Sequence, residues 1–199
     1  MEFALAGSTE KKYRDRGLEK LSAQPGERIL EIGFGTGHCL VTLARAVEQE
    51  GRVIGVDISD GMADIARKRL QQYGVRDEVD LHRADASHLD FLEADSLDGV
   101  FMSFTLELFD TPDIPCVLQE CHRVLKSNGR LAVVCMTKTD PPGKAVRVYE
   151  WFHDNFPDYA DCRPIFAQPV LEQSGFAIED ANLSSMWGLP VEIILARKR

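Results

Sequence analysis

The chain has 199 residues, of which 44% are hydrophobic, and a formal net charge of −9 at pH 7. This length predicts one globular domain over residues 1–199 with a sizeable core. The negative charge disfavours nucleic acid as a partner, because neutralising phosphates requires clustered cations. The five cysteines form no CxxC pair or zinc pattern, so we expect reduced thiols, no metal site and a cytoplasmic protein. We also expect no integral membrane segment, because no apolar run is long enough.

A glycine-rich loop follows the first predicted strand. Residues 8–23 predict a polar helix, residues 28–32 form a short, branched, apolar strand, and residues 38–49 place apolar side chains at helical spacing. Before the second helix come an acid and three alternate glycines: Glu31, Gly33, Gly35 and Gly37. Glycines permit positive φ angles and close approach of a ligand, and a helix start offers unpaired N–H groups. The loop therefore suits a nucleotide-like cofactor, although many strand-to-helix turns need glycine for geometry alone.

The spacing of these glycines distinguishes between cofactors. A dinucleotide-binding fingerprint needs a third glycine three positions after the second, and His38 occupies that position. An acid two residues before alternate glycines resembles motif I of the class I S-adenosylmethionine-dependent methyltransferases. The resemblance implies that the loop makes room for the ribose and amino-acid portions of S-adenosylmethionine. It also implies that Glu31 suits the ammonium group of this cofactor.

The second predicted strand, residues 52–57, ends in an acid. A carboxylate at Asp57 can accept hydrogen bonds from both ribose hydroxyls. Ile58 follows and can cover one face of adenine. No Lys or Arg comes directly after Asp57 to receive a 2′-phosphate, which disfavours NADP.

A third predicted strand, residues 79–83, follows a helix over residues 61–72 and leads into Asp85 and Ala86. The resemblance assigns the Asp85 carboxylate to the adenine amino group and the next backbone N–H, that of Ala86, to the adenine ring. Taken alone, Asp85 is typical of a turn or a helix cap. Taken together with the two upstream acids, Glu31 and Asp57, in the expected order, the assignment implied by the resemblance is favoured.

The fourth predicted strand, residues 97–103, should end with Ser103 facing the methionine portion of the cofactor. A helix over residues 113–126, a glycine turn and a strand over residues 130–136 then resemble the next elements of the same family. The resemblance covers roughly residues 25–136, with its motifs in the expected order.

The C-terminal part predicts two strands, residues 175–183 and 190–197, joined by a loop too short for a helical crossover, so they should pair antiparallel. The preceding alternation of strands and helices predicts right-handed crossovers. We therefore expect an α/β fold with a doubly wound, mostly parallel seven-stranded sheet and an antiparallel last strand. This is the Rossmann-like methyltransferase fold, and nicotinamide-binding Rossmann sheets lack such a last strand.

Two segments can form the substrate side of the site: residues 103–115 and 137–169, which follow the fourth and fifth strands. The second is rich in proline and aromatic residues, which predicts a substrate lid at about 137–169. Parts of it resemble quinone C-methyltransferases. An aromatic lid favours an apolar or ring-bearing acceptor. His153 lies in the lid and titrates near neutrality, so it is the candidate catalytic base, with a surface or packed histidine as the alternative.

The sequence thus predicts a cytoplasmic enzyme that methylates a carbon or oxygen of a small acceptor and converts S-adenosylmethionine to S-adenosylhomocysteine. Transient membrane contact is expected if the acceptor is a lipid quinone. One alternative is a non-catalytic cofactor-binding or partner-activating subunit with the same fold. Another is a short-chain nicotinamide-dependent reductase, which is disfavoured because Tyr149 is followed four residues later by His153 and not by lysine.

Overall fold

A computed structural model describes residues 2–138 and 164–199 of the chain. A short 3-10 turn, Leu106–Leu108, follows the fourth strand. The helices and strands, in chain order, are α1 (Glu2–Leu21), β1 (Arg28–Ile32), α2 (His38–Val47), β2 (Arg52–Asp57), α3 (Asp60–Tyr73), β3 (Val79–Arg83), β4 (Leu97–Ser103), α4 (Ile114–Val124), β5 (Leu125–Met136), α5 (Ala167–Gln173), β6 (Phe176–Met186) and β7 (Leu189–Lys198).

The strands form one seven-stranded sheet in the order β3-β2-β1-β4-β5-β7-β6. Neighbouring strands from β3 to β5 are parallel, whereas β7 runs antiparallel to both β5 and β6. This arrangement confirms the predicted fold class. Strand order reverses at β1, which pairs with β2 on one side and β4 on the other. In open α/β sheets, ligands bind beyond the carboxyl ends of the strands at such a reversal.

Helices cover both faces of the sheet, and its central strands are accordingly mostly apolar. Along β4, Val100 and Met102 belong to the core on the side of α4 and α5. Phe101, between them, belongs to the core on the side of α1, α2 and α3. Side chains alternate across a strand, so one buried strand contributes to two cores. Helix α1 approaches the sheet closely at Gly17, where a Cβ would lie 2.4 Å from Val134 Cγ2.

Several element boundaries differ from the sequence prediction. The predicted helix over 113–126 ends at Val124, and β5 begins at once at Leu125, five residues before the predicted strand. Leu125 pairs with Leu97 of β4, and a register shift between Leu97 and Gly99 accommodates the intervening residues. Helix α1 begins at Glu2, earlier than predicted, and ends at Leu21. The predicted C-terminal strands are present as an antiparallel hairpin.

The predicted lid at about 137–169 is only partly described. Its two ends meet where Thr137 forms a parallel bridge with Ile165, and α5 begins at Ala167. Residues 139–163, which include His153, lie outside the described residues. The lid and the catalytic assignment of His153 therefore stay predictions.

Candidate functional site

A cavity of about 440 Å³ lies at the carboxyl edge of the sheet, beside the reversal of strand order. Its walls come from the ends of β1, β2 and β4 and from the loops that follow β1, β2, β3 and β4. The residues that line it are Ile32, Gly33, Gly35, Val56, Asp57, Ile58, Ser59, Met62, Ala84, Ala86, Ser103, Phe104, Thr105, Leu108 and Phe109. The cavity thus brings together six of the nine predicted cofactor residues, and Glu31, Gly37 and Asp85 do not line it.

The glycine loop forms one wall of the cavity. Gly33 has a φ of +71°, and a Cβ there would lie 2.3 Å from Thr105 Cγ2. Gly35 has a φ of +49°, and a Cβ there would meet no atom within 4 Å. Gly33 therefore permits close contact between two loops, whereas Gly35 leaves open space at the cavity wall.

Gly37 has a different role from its two neighbours. Its φ is +78°, its N–H donates to the Phe34 carbonyl at 2.8 Å, and it precedes the first residue of α2. A Cβ at Gly37 would lie 2.9 Å from the Ala66 Cβ of α3. Gly37 thus allows α2 and α3 to pack closely and lies outside the cavity lining.

Asp57 joins the glycine loop to the end of β2. Its Oδ2 accepts from the Gly35 N–H at 2.8 Å, and its Oδ1 accepts from the Ser59 N–H at 2.9 Å. A carboxylate oxygen can accept more than one hydrogen bond, so the fixed carboxylate can still receive ligand hydroxyls. Next to it, Ile58 is 72% exposed and presents an apolar surface to the cavity.

The loop after β3 contributes through its alanines. Ala84 and Ala86 line the cavity, whereas Asp85 between them is exposed and does not. Asp85 Oδ1 accepts from the Ser87 N–H at 2.9 Å and from Ser87 Oγ at 2.7 Å, and these hydrogen bonds lower the pKa of Asp85. In this structure Asp85 organises a turn, and its contact with adenine stays a prediction.

Glu31 is the fourth residue of β1 and comes just before the glycine loop in the chain. Burial raises the pKa of Glu31 to about 8, while a hydrogen bond with Cys39 and the charge of Arg14 oppose this rise. Its Oε2 is buried and has no hydrogen-bond partner among the described residues, and the same holds for Ser103 Oγ. Leaving such atoms unpartnered costs free energy that a polar ligand can recover. These unsatisfied oxygens fit a cofactor that carries an ammonium group.

Sequence reasoning did not single out the residues of the turn after β4. Phe104 has a φ of +52°, and its ring packs edge-on against Tyr13 with centroids 6.5 Å apart. Thr105 is buried and donates from Oγ1 to the Ser103 carbonyl at 3.1 Å. Their positions depend on a positive φ at a non-glycine residue, which no sequence pattern signals. The sequence predicts residues 103–115 as a wall of the substrate side and singles out only Ser103 among them.

Glu107 lies in the same turn but does not line the cavity. It is buried, and its Oε1 accepts from the Met136 N–H at 2.9 Å. Its Oε2 has no hydrogen-bond partner among the described residues. Burial raises the pKa of Glu107 to about 7. A buried carboxyl group thus lies next in the chain to a cavity-lining residue at two places, the end of β1 and the turn after β4.

Within residues 2–138 and 164–199, no group of three or more His, Cys, Asp or Glu side chains could hold a metal ion. In the same part of the chain, no helix is long and apolar enough to cross a membrane.

The chain is similar in sequence to known methyltransferases. A family model described as a methyltransferase domain matches residues 29–129. The demethylmenaquinone methyltransferase of Lactobacillus johnsonii is 31% identical over 161 residues, which are 80% of this chain and 64% of that protein. The ubiquinone/menaquinone biosynthesis C-methyltransferase UbiE of Vibrio campbellii is 32% identical over 155 residues, 77% of this chain and 58% of that protein. The chain thus spans less than two thirds of the length of these relatives.

A solved structure supports the fold. The YcgJ protein of Bacillus subtilis superimposes with a TM-score of 0.77 at 18% identity, covering 95% of this chain and 99% of that chain. At this level of identity the likeness concerns the fold alone.

Proposed function

Because the chain belongs to the methyltransferase domain family, we propose that it transfers the methyl group of S-adenosylmethionine to a small apolar or aromatic acceptor. The observation that carries this assignment is the cavity in which the glycine loop, Asp57 and Ser103 meet. A single methyltransferase domain over residues 1–199, with a substrate lid at about 137–169, belongs to the same proposal.

The residues of this chain divide the cofactor between them. Asp57 holds the ribose, since its carboxylate is fixed by two backbone N–H groups and keeps lone pairs for hydroxyls. Ile58 and Ala86 enclose the adenine. Glu31 and Ser103 serve the methionine portion, because each has a buried, unpartnered oxygen.

When bound, S-adenosylmethionine supplies an electrophilic methyl group on a positively charged sulfur. The protein then has to align the acceptor and exclude water, and alignment alone can supply much of the rate. Leu108 and Phe109 form an apolar wall of the cavity that suits both tasks. An acceptor that must lose a proton also needs a base, and His153 is the candidate for that role.

The acceptor that we propose is a quinol-like aromatic ring, methylated on carbon, with a phenolic oxygen as the second choice. The two relatives are named for methyl transfer in menaquinone and ubiquinone biosynthesis. The apolar wall at Leu108 and Phe109 is compatible with such a ring. A lipid quinone would require transient contact with a membrane. A cytoplasmic location agrees with free thiols at Cys39, Cys116, Cys121 and Cys135.

The test is a transfer assay with methyl-labelled S-adenosylmethionine and a short-chain, reduced naphthoquinol lacking the ring methyl group. Wild type is compared with Asp57→Ala, and Asp64→Ala is the matched control because Asp64 is an exposed acid on α3 outside the cavity. We expect label in the ring for wild type and the control, and a strong loss for Asp57→Ala.

Two other outcomes would contradict parts of this assignment. If label appeared only in a polar fraction of a cell extract, the quinol ring would be wrong as the acceptor, but the methyltransferase activity would be supported. Cofactor binding without transfer to the naphthoquinol or to any extract fraction would favour the non-catalytic subunit.

A further inference from the structure

A second ligand-sized hollow lies on the helical side of the protein, along α2 between α1 and α3. It measures about 380 Å³. Four cationic side chains line it, Lys11, Arg14, Arg45 and Arg69, against one carboxylate, Asp15. The whole chain has a formal net charge of −9. Positive charge is therefore concentrated in this groove on an otherwise acidic protein.

Most of the guanidinium N–H groups in the groove are not used by the protein. Arg45 stacks over the Tyr73 ring at 5.2 Å and makes no hydrogen bond or ion pair within the part of the chain that the structure describes. Arg69 donates one N–H to the Thr36 carbonyl. Arg14 pairs with Glu10 at 3.3 Å. These arginines keep donors available for an anion.

The cations act on the same place in the groove. His38 lies at the start of α2 and lines the groove. Its pKa is lowered by partial burial and then by the charges of Arg69, Arg14 and Lys11. Lys11 and Arg14 of α1 and Arg69 of α3 thus line the same groove as His38 and disfavour its charged form, and an anion with several oxygens would neutralise such a cluster.

We propose that this groove binds a phosphate-bearing ligand at a site separate from the cofactor cavity. Among the described residues, none lines both the groove and the cavity. Guanidinium groups match the oxygens of phosphate in geometry and charge. The volume suits one or two phosphate groups, and the acidic remainder of the chain would repel a long polyanion such as nucleic acid. The phosphate belongs either to a free metabolite or to a lipid headgroup.

The test titrates inorganic diphosphate into the full-length protein by calorimetry at constant ionic strength. The test variant is Lys11→Gln/Arg45→Gln, whose two exposed side chains line the groove. The matched control is Arg67→Gln/Lys68→Gln, which removes two exposed cations from α3 outside the groove. A parallel arm measures sedimentation with vesicles of phosphatidylglycerol and of phosphatidylcholine.

We expect wild type to bind diphosphate, the groove variant to bind at least about tenfold more weakly, and the control to stay within about twofold of wild type. S-adenosylhomocysteine should not displace the diphosphate. Groove-dependent binding to phosphatidylglycerol vesicles would identify a headgroup, and its absence a free phosphate ligand. The assignment is overturned by no wild-type binding in either arm, by equal losses in both variants, or by displacement with S-adenosylhomocysteine.

Discussion

The cofactor cavity and the cationic groove are built differently. Backbone at the ends of strands shapes the cavity, with Gly33 and Gly35 at positive φ and Asp57 fixed by two N–H groups. Side chains on three helices shape the groove, and Lys11 and Arg45 are exposed. Within the part of the chain that the structure describes, buried oxygens without a hydrogen-bond partner include those of Ser103, which lines the cavity, and of Glu31 and Glu107, each next in the chain to a lining residue.

This difference indicates at which residues a substitution can alter ligand binding with little loss of protein stability. A backbone-built site gains precision because its groups are already held in place, but each substitution there also disturbs the fold. A site built from exposed side chains can lose a charge with little effect on stability. Changes at the cavity should therefore alter stability and ligand binding together, whereas changes in the groove should alter binding alone.

The largest expected effect is on stability at Gly33. In Gly33→Ala the new Cβ would clash with Thr105 at 2.3 Å, at a φ of +71°. Overpacking and the left-handed backbone together should lower the free energy of unfolding by about 2 to 4 kcal/mol. Denaturant unfolding measures this loss, and Arg45→Gln in the groove is the control with less than about 0.5 kcal/mol. A loss below about 1 kcal/mol in Gly33→Ala would show that the loops are not in tight contact.

Glu107 should make stability depend on pH. Its folded-state pKa is about 7 against an ordinary value of 4.5, so between these pH values the folded protein holds a proton that the unfolded chain has lost. Stability from this group is present below pH 4.5 and is lost as the pH rises to 7. Glu107→Gln has no such titration. The difference in unfolding free energy between Glu107→Gln and wild type should therefore shift in favour of the variant by up to about 3 kcal/mol as the pH rises from 4.5 to 7. If the unfolding free energies of wild type and Glu107→Gln depended on pH in the same way, the raised pKa of Glu107 would be contradicted.

Substitutions at Asp57 and Asp85 distinguish an aspartate that contacts the cofactor from one that only stabilises a turn. Asp57→Ala should weaken S-adenosylmethionine binding by about 1.5 to 3 kcal/mol, because a charged acceptor of ribose hydroxyls is lost. Asp85→Ala should change the affinity by less than about 0.5 kcal/mol if Asp85 only caps its turn. Calorimetric titration of both variants decides between the interpretations. An Asp85→Ala loss as large as that of Asp57→Ala would restore the adenine contact implied by the family resemblance.

Glu31 should make the cofactor affinity depend on pH. Its pKa is about 8 in the ligand-free protein, and a cofactor ammonium group would favour the ionised carboxylate. Binding then releases a proton, so wild-type affinity should rise relative to Glu31→Gln from pH 6 to 8, by at most about tenfold per pH unit. The comparison with Glu31→Gln cancels the titration of the cofactor's own amine. A constant affinity ratio would place the ammonium elsewhere.

Sequence patterns located the cavity because its main parts are local. The spacing of the glycines and the acid that ends β2 are features of short segments, and the structure brings Gly33, Gly35 and Asp57 together as their strands predict. The antiparallel hairpin was predictable for the same reason, since its connection is too short for a crossover.

The remaining features depend on contacts between distant segments. Thr105 fits against Gly33 only because β1 and β4 are neighbours in a particular register. The early start of β5 follows from pairing with Leu97, and the groove requires the relative rotation of three helices. The raised pKa of Glu31 and Glu107 comes from burial, which a strand or turn pattern does not give for a single acid. Tertiary packing decides all of these.

The most direct test of the cofactor cavity is a calorimetric titration of S-adenosylhomocysteine into wild type and Gly35→Ala. A Cβ at Gly35 meets no atom of the described residues within 4 Å, so the methyl group would project into the space at the cavity wall. We predict that the affinity falls by about a hundredfold, while the unfolding free energy falls by only about 1 to 2 kcal/mol, as expected for a left-handed alanine. Unchanged affinity in a folded Gly35→Ala protein would contradict the placement of the cofactor against the glycine loop.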